Sequence, residues 1–410
     1  MKQFLKAGQT IILLGTGGVG KTTIAASLGM ASAESGRDTA VVTIDPARRL
    51  REALGLRHLD GRPTRIDKRR LERAGLDPEL GLFAMVLDVK RQWDALVEQF
   101  IADPATREHI FANRFYRTLA GQLAGSDAYA ALEQLYDIHG SKRFEITIVD
   151  TPPAAHAFEF IQAPGRMARL LDSGAARLFS AAPSMPGSGL TLGLARRATR
   201  FVIDQLERFT GTEVLSSIAD FFASAAAATG ALSERFHKTE TMLHSPTVHF
   251  MIVTTAEPDR LRHARELIDE LAREGLSPAA VIVNRFLDEE GWDAADHDQR
   301  TVKPGARSAG PRAASDRDPE LRATIEYLEN YQRGLDAAAV RVEQFARGLP
   351  EDIELAAAPE LAIEAADLAA LQRIAGRLIG GWIPMVRARE RASRAPRARS
   401  ARSHRRAKPE

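Results

Sequence analysis

The sequence predicts an α/β protein: a mostly parallel sheet flanked by helices, with an inserted helical subdomain. Three observations carry that expectation. Short, continuously apolar runs end in glycine, turn or acidic residues, as strands buried on both faces do. Within the first 44 residues, strand, glycine loop, helix and strand follow in the order of a βαβ unit. Between later strand candidates lie long stretches with helical periodicity and few strand signals.

The elements can be justified in chain order. TIILL (residues 10–14) reads as a buried strand running into glycines, residues 21–35 have helical composition, and Gly36 closes that helix. TAVVTI (39–44) is the second buried strand. Further strands are expected at 82–87, 144–149, 248–254 and 280–283, each short, apolar and followed by polar or turn residues. Residues 88–142 and 158–244, which include WDALVEQFI and LARRATRFVIDQLERF, are expected to be helical insertions forming one subdomain beside the sheet. SAAPSMPGSG (180–189) reads as a loop, the charged, Pro- and Gly-bearing stretch 300–319 as a mobile one, and 368–382 as a last amphipathic helix. Domain organisation is thus expected to be one domain over 1–385 and a basic, disordered tail over 386–410.

Composition narrows the function classes. The 410 residues, 44% hydrophobic, supply a substantial core. No apolar run approaches the roughly 18 to 20 residues that cross a bilayer, and MKQFLKAGQT leads into a strand with no leader pattern, so a cytoplasmic location is expected. With no cysteine, disulfides and thiolate metal sites are excluded. Charge is uneven: the tail from Val386 to Glu410 carries ten Lys/Arg against two Glu, net +8, which leaves the rest at −6 of an overall +2.

The stretch Gly15-Thr16-Gly17-Gly18-Val19-Gly20-Lys21-Thr22 satisfies G-x-x-x-x-G-K-[ST], after a strand and opening a helix as that pattern requires. Its glycines let backbone N–H groups wrap a phosphate, Lys21 brings charge to the β and γ phosphates, and Thr22 would ligate Mg²⁺ beside ATP. Carboxylates stand at the ends of predicted strands, where ligands bind in open parallel sheets. Asp150 ends FEITIVD and suits a residue holding Mg²⁺ through water; Asp45 ends VVTID and could orient or deprotonate the attacking water. For either acid taken alone, a helix cap or a solvated strand end is the ordinary alternative.

Together GTGGVGKTT, TIDPARRL (43–50), VDTPPAAHAFEF (149–160) and VIVNR (281–285) resemble the arsenite-pump (ArsA) ATPase family. That family includes the targeting ATPase for tail-anchored membrane proteins and belongs to the deviant phosphate-loop NTPases. The resemblance covers about the first 290 residues. It implies that Gly15, Thr16, Gly17, Gly18, Val19, Gly20 and Lys21 bind phosphates, that Thr22 ligates Mg²⁺ and that Thr23 contacts the α-phosphate. It further implies that Asp45 positions the hydrolytic water in switch I, that Asp150 heads a switch II segment stiffened by two prolines, and that Asn284 reads adenine. From local sequence Asn284 is equally well a strand-end turn residue. The family's working unit pairs two ATPase halves and this chain has one phosphate-loop motif, so the resemblance implies a homodimer or a heterodimer with a sibling chain.

Two departures bear on function. Relatives usually carry at the position of Thr16 a lysine that reaches the partner's nucleotide; threonine brings no charge. Three explanations stay open: slow hydrolysis, a cation from elsewhere such as Arg48 or Arg49, or a sibling chain that supplies the lysine. Relatives that respond to arsenite bind it through cysteine, which this chain lacks, so arsenite pumping is rejected as a literal function. The expected activity is that of an Mg²⁺-dependent ATPase switch acting on a protein client or membrane-associated partner. The alternatives are an ATP-binding regulatory subunit and, with less support, a membrane- or DNA-positioning ATPase.

The apolar segments 167–183 and 214–232 could line a client groove, but at helical spacing a subdomain core is the favoured reading. The basic tail has no aromatic residue, so nucleic acid is not favoured as a partner; a peripheral membrane contact through 368–382 and the tail is left open, beside a merely solvated tail.

Overall fold

The computed structural model describes residues 1–44, 49–121, 126–152, 154–172, 212–286, 319–360 and 368–380. Eight strands make one sheet: β1 (Gln9–Leu14), β2 (Thr39–Thr43), β3 (Thr64–Arg65), β4 (Leu82–Val86), β5 (Ile146–Asp150), β6 (Val248–Thr254), β7 (Pro278–Val283) and β8 (Glu354–Ala357). Their order across the sheet is β3-β4-β2-β5-β1-β6-β7-β8. Every pairing is parallel except that of β3 with β4. From β1 the chain crosses to β2, reaches the edge at β3, returns through β4 to β5, and then leaves on the other side through β6, β7 and β8, so the direction of winding reverses between β5 and β1, where open parallel sheets bind ligands.

Side chains of β1 alternate between two cores. Ile11 and Leu13 pack on one face with Val41, Ile148 and Ile282, under helix α1 (Lys21–Glu34). Ile12 and Leu14 pack on the other with Val42, Val149 and Ile252. α1 is buried nearly all round, because the last described helix, Leu368–Ile379, lies over it through Leu371, Ile374 and Leu378. α1 runs close enough to the sheet that a Cβ on Gly29 would stand 2.4 Å from Val41 Cγ2.

Between β2 and β4 are two short helices, α2 (Arg49–Ala53) and α3 (Lys68–Arg73). Between β4 and β5 the chain forms α4 (Val89–Phe100), α5 (Pro104–Ala112), α6 (Arg114–Gly121) and α7 (Ser126–Ser141). Asp88 and Asp103 cap α4 and α5 by accepting from the N–H groups of Arg91 and Thr106, and Pro104 opens α5 with a preset φ. After β5 come α8 (Ala154–Asp172), α9 (Thr212–Ala225) and α10 (Thr229–Leu243). Trp93, Leu96, Ile110, Tyr116 and Leu119 form a satellite core, against which Met167, Phe221 and Leu232 pack. These three side chains of the apolar segments therefore fill a core. α11 (Pro258–Arg273) follows β6, and α12 (Pro319–Arg347) and α13 (Leu368–Ile379) complete the described helices. Among the described residues no helix is long and apolar enough to cross a membrane.

The expected strands all form, that at 248–254 with the expected bounds and the others with ends shifted by one or two residues: the second stops at Thr43, and the fourth covers 146–150 rather than 144–149. Two strands and the helices α2, α3, α11 and α12 were not among the elements expected. β3 has two residues and β8 reads ELAA, without β-branched or aromatic side chains; α12 follows directly on the stretch read as a mobile loop. Residues 180–189, 300–318 and 386–410 lie outside the described residues.

A buried ion pair joins two helices of the insertion, α7 and α10. Arg235 on α10 donates from Nε to Glu133 of α7 at 2.6 Å, and Thr239 Oγ1 donates to the same carboxylate at 2.7 Å. The side chains are 11% and 1% exposed for Arg235 and Glu133. Burial raises the Glu133 pKa, with Arg235 and Thr239 opposing the shift. Replacing Arg235 by alanine strands that carboxylate, so Arg235→Ala is expected to lose about 3 kcal/mol or more in denaturant unfolding. Glu133→Gln, which keeps most of the hydrogen bonding, is expected to lose less than half as much.

Candidate phosphate-binding site

The loop between β1 and α1 is held from several neighbouring strand ends. Gly15 is buried, and a Cβ there would lie 2.3 Å from the carbonyl oxygen of Val253 in β6. Gly20, at φ +89°, takes a left-handed conformation immediately before α1, and its missing Cβ leaves room for Asn284, whose Nδ2 would otherwise lie at 2.2 Å. Asn284 sits just past β7, is 4% exposed, and donates from Nδ2 to the Val19 carbonyl at 2.8 Å. Val19 itself is buried, while Thr16 and Gly17 are half-buried and Gly18 is exposed at the rim.

Lys21 opens α1 and is 7% exposed; its Nζ donates to the carbonyl oxygens of Gly15 at 2.8 Å and Thr16 at 3.2 Å. The ammonium is therefore curled over the loop it belongs to, at the positive end of a helix. Thr22 and Thr23 follow, both half-buried.

Asp150 is placed by sheet register. It pairs with Leu13 of β1 on one side and Thr43 of β2 on the other, which brings the carboxylate to the carboxyl edge beside the loop. Thr22 Oγ1 donates to Asp150 Oδ2 at 2.7 Å and Thr43 Oγ1 to the same oxygen at 3.3 Å. The carboxylate is 3% exposed. Next in sequence, Thr151 Oγ1 donates to the Leu13 carbonyl at 2.6 Å and pins the start of the VDTPP segment to β1.

One further side chain reaches the loop. Arg260, in the first turn of α11, donates from Nη1 to Thr16 Oγ1 at 2.9 Å. A cation such as Arg48 or Arg49 is one of the three explanations that Thr16 leaves open. Arg48 lies outside the described residues, as does Asp45, and Arg49 is the exposed first residue of α2. Thr43, Thr151 and Arg260 were missed. Thr151 had a local signal in VDT, but Arg260 had none, since an arginine in the charged start of a helix looks like any solvated one.

The arrangement is a glycine loop with a hydroxyl and a carboxylate beside it: backbone N–H groups, a lysine and a helix N-terminus suit an anion, and Thr22 with Asp150 suits a hard cation. Among the described residues no group of three His, Asp or Glu could hold a metal alone. A cation here would draw most of its oxygen ligands from the phosphates and water, as magnesium does in nucleotide sites.

A mostly parallel sheet whose central strand runs through this loop into a buried helix, with an acid at the end of the adjacent strand, defines a phosphate-loop NTPase fold. The chain belongs to the anion-transporting ATPase family, whose profile matches residues 8–303. It is 26% identical over 305 residues to an ATPase ASNA1 homolog of Babesia bovis, covering 72% of this chain and 74% of that one. It is 25% identical over 275 residues to ATPase GET3 of Malassezia globosa, covering 67% and 71%. ATPase asna-1 of Caenorhabditis elegans is 22% identical over 287 residues, covering 68% and 74%. The chain is thus an ATP-hydrolysing enzyme by family.

The two glycines separate two kinds of strain. At Gly15, at φ +154°, the obstacle is a carbonyl within the sheet, which cannot yield; at Gly20, at φ +89°, it is the end of a side chain. Gly15→Ala is expected to lower stability by about 2 kcal/mol or more, and Gly20→Ala by about 1 to 2 kcal/mol. Thermal unfolding of both variants checks the order.

Proposed function

We propose that this ATPase is a magnesium-dependent dimeric switch in the cytoplasm, whose ATP- and ADP-bound states are read by a protein client or a membrane-associated partner. The contact of Thr22 with Asp150 at 2.7 Å carries the magnesium part of this reading, because it joins a hydroxyl of the loop to an acid of the sheet at the place a nucleotide's cation would occupy. Thr22 would take the cation directly and Asp150 through water. Once bound, the cation neutralises charge on the β and γ phosphates.

The remaining roles follow the resemblance of the motifs. Gly15 to Gly20 offer the wrapped backbone, and Lys21, now on the loop carbonyls, turns its ammonium to phosphate oxygens when they arrive. Thr23, the next residue of α1, contacts the α-phosphate. Asp45, just past β2, orients the attacking water. Asn284, beside Val19, adds contact to the base. A dimer follows from the resemblance of the motifs to two-halved ATPases, and the lack of cysteine argues against thiolate capture of a metalloid.

The uncharged Thr16 favours a second reading, in which this chain binds ATP as the regulatory half of a heterodimer and a sibling chain hydrolyses it. Phosphate release by the purified chain with Mg²⁺, across protein concentration and with Asp45→Asn and Asp150→Asn, separates the two. The switch reading expects turnover per chain that rises with concentration and falls by about 10²-fold or more in Asp45→Asn. Tight ATP binding with no turnover at any concentration would favour the regulatory subunit.

A further inference from the structure

Two cations converge on one residue of the loop. Lys21 Nζ donates to the backbone carbonyl of Thr16 at 3.2 Å, and Arg260 Nη1 donates to its side-chain oxygen at 2.9 Å. Arg260 is half-buried, and among the described residues no carboxylate lies within ion-pair distance of it. Asp259 and Glu266, its acidic neighbours on α11, pair with Arg262. A threonine hydroxyl satisfies one of the five N–H donors of a guanidinium and none of its charge. A guanidinium at the rim of an anion-binding loop offers a planar fork that matches phosphate oxygens.

From this geometry we infer that Arg260 is a catalytic residue of the same ATPase site, which leaves Thr16 Oγ1 to bind the terminal phosphate of ATP. The inference rests on the nucleotide-switch reading above and deepens it. Lys21 and Arg260 both meet Thr16, so the arginine stands beside the group that serves the β and γ phosphates. In hydrolysis the water oxygen bonds to the γ-phosphorus as the bond to the β–γ bridging oxygen breaks. That oxygen leaves with the electron pair on ADP, and the water's proton ends on solvent or the released phosphate. Arg260 is unchanged throughout; it offsets charge on the γ-phosphate oxygens while they lie between the entering and leaving oxygens. Thr16 supplies the resting partner that holds the guanidinium at the loop.

The test compares Arg260→Ala, Arg260→Lys and Thr16→Ala with the wild type, in steady-state turnover and in equilibrium binding of ATP, ADP and ADP with aluminium fluoride. Arg260→Ala is expected to lower kcat by about 10²-fold or more, to weaken ADP–aluminium fluoride binding at least about tenfold, and to leave ADP affinity within about threefold. Arg260→Lys should restore part of the loss, and Thr16→Ala, which keeps the charge, should lose much less than Arg260→Ala. Equal losses in Arg260→Ala and Thr16→Ala, or a loss of ADP binding as large as that of the fluoride complex, would make Arg260 only an anchor of the loop and overturn the inference. Thermal unfolding shows that each variant is folded; if Arg260→Ala is not, Arg260→Lys and Arg260→Gln carry the comparison. If the wild type binds nucleotide without turnover, the hydrolysis reading fails, while loss of the preference for ATP over ADP in Arg260→Ala still decides the arginine's role.

Discussion

The candidate site depends on the register of β5 between β1 and β2. A parallel ladder fixes which residues end level with one another, and here it sets Leu13, Asp150 and Thr43 side by side. A slip of one residue would turn Asp150 to the opposite face of the sheet, away from Thr22. The register is secured by the apolar alternation of β1, which sends Ile11 and Leu13 into one core and Ile12 and Leu14 into the other. The carboxylate is thus positioned by packing well away from it, and its hydrogen bond to Thr22 reports that the packing is correct.

The loop is built by the same economy. Its conformation is imposed by close approach from β6 and β7, through the Val253 carbonyl and Asn284, as well as by its own glycines. Each contact comes from a different strand, so the cradle assembles only when the sheet does. This couples folding to site formation. It also lets displacement of the segment after Asp150, pinned to β1 by Thr151, affect the same carboxylate. Beside it, the α4–α10 helices form their own core around Trp93 and Tyr116, with α7 and α10 tied to each other by Glu133 and Arg235.

Much of this was legible in the sequence, for identifiable reasons. Buried parallel strands are continuous apolar runs, so the runs at 10–14, 39–44 and 248–254 announced themselves, and a glycine loop between strand and helix has few other meanings. Asp150 was readable because an acid closing an apolar strand stands where ligands bind. What escaped was whatever depends on distant parts of the chain: Arg260 meets Thr16 across 244 residues and Asn284 meets Val19 across 265, and neither contact leaves a local pattern. β8 escaped because position within the sheet, rather than strand-forming composition, makes it a strand. Asp45 lies outside the described residues, and its role rests on the sequence alone.

In the proposed function, register makes Thr22 and Asp150 a cation-holding pair for a bound nucleotide. Electron paramagnetic resonance of Mn²⁺, used in place of Mg²⁺, tests it directly when wild type, Thr22→Ala and Asp150→Asn are titrated with and without ATP. The account predicts Mn²⁺ binding that requires ATP in the wild type and weakens at least about tenfold in each variant, because both oxygens serve one ion. ATP-dependent Mn²⁺ binding that is the same in all three proteins would contradict it.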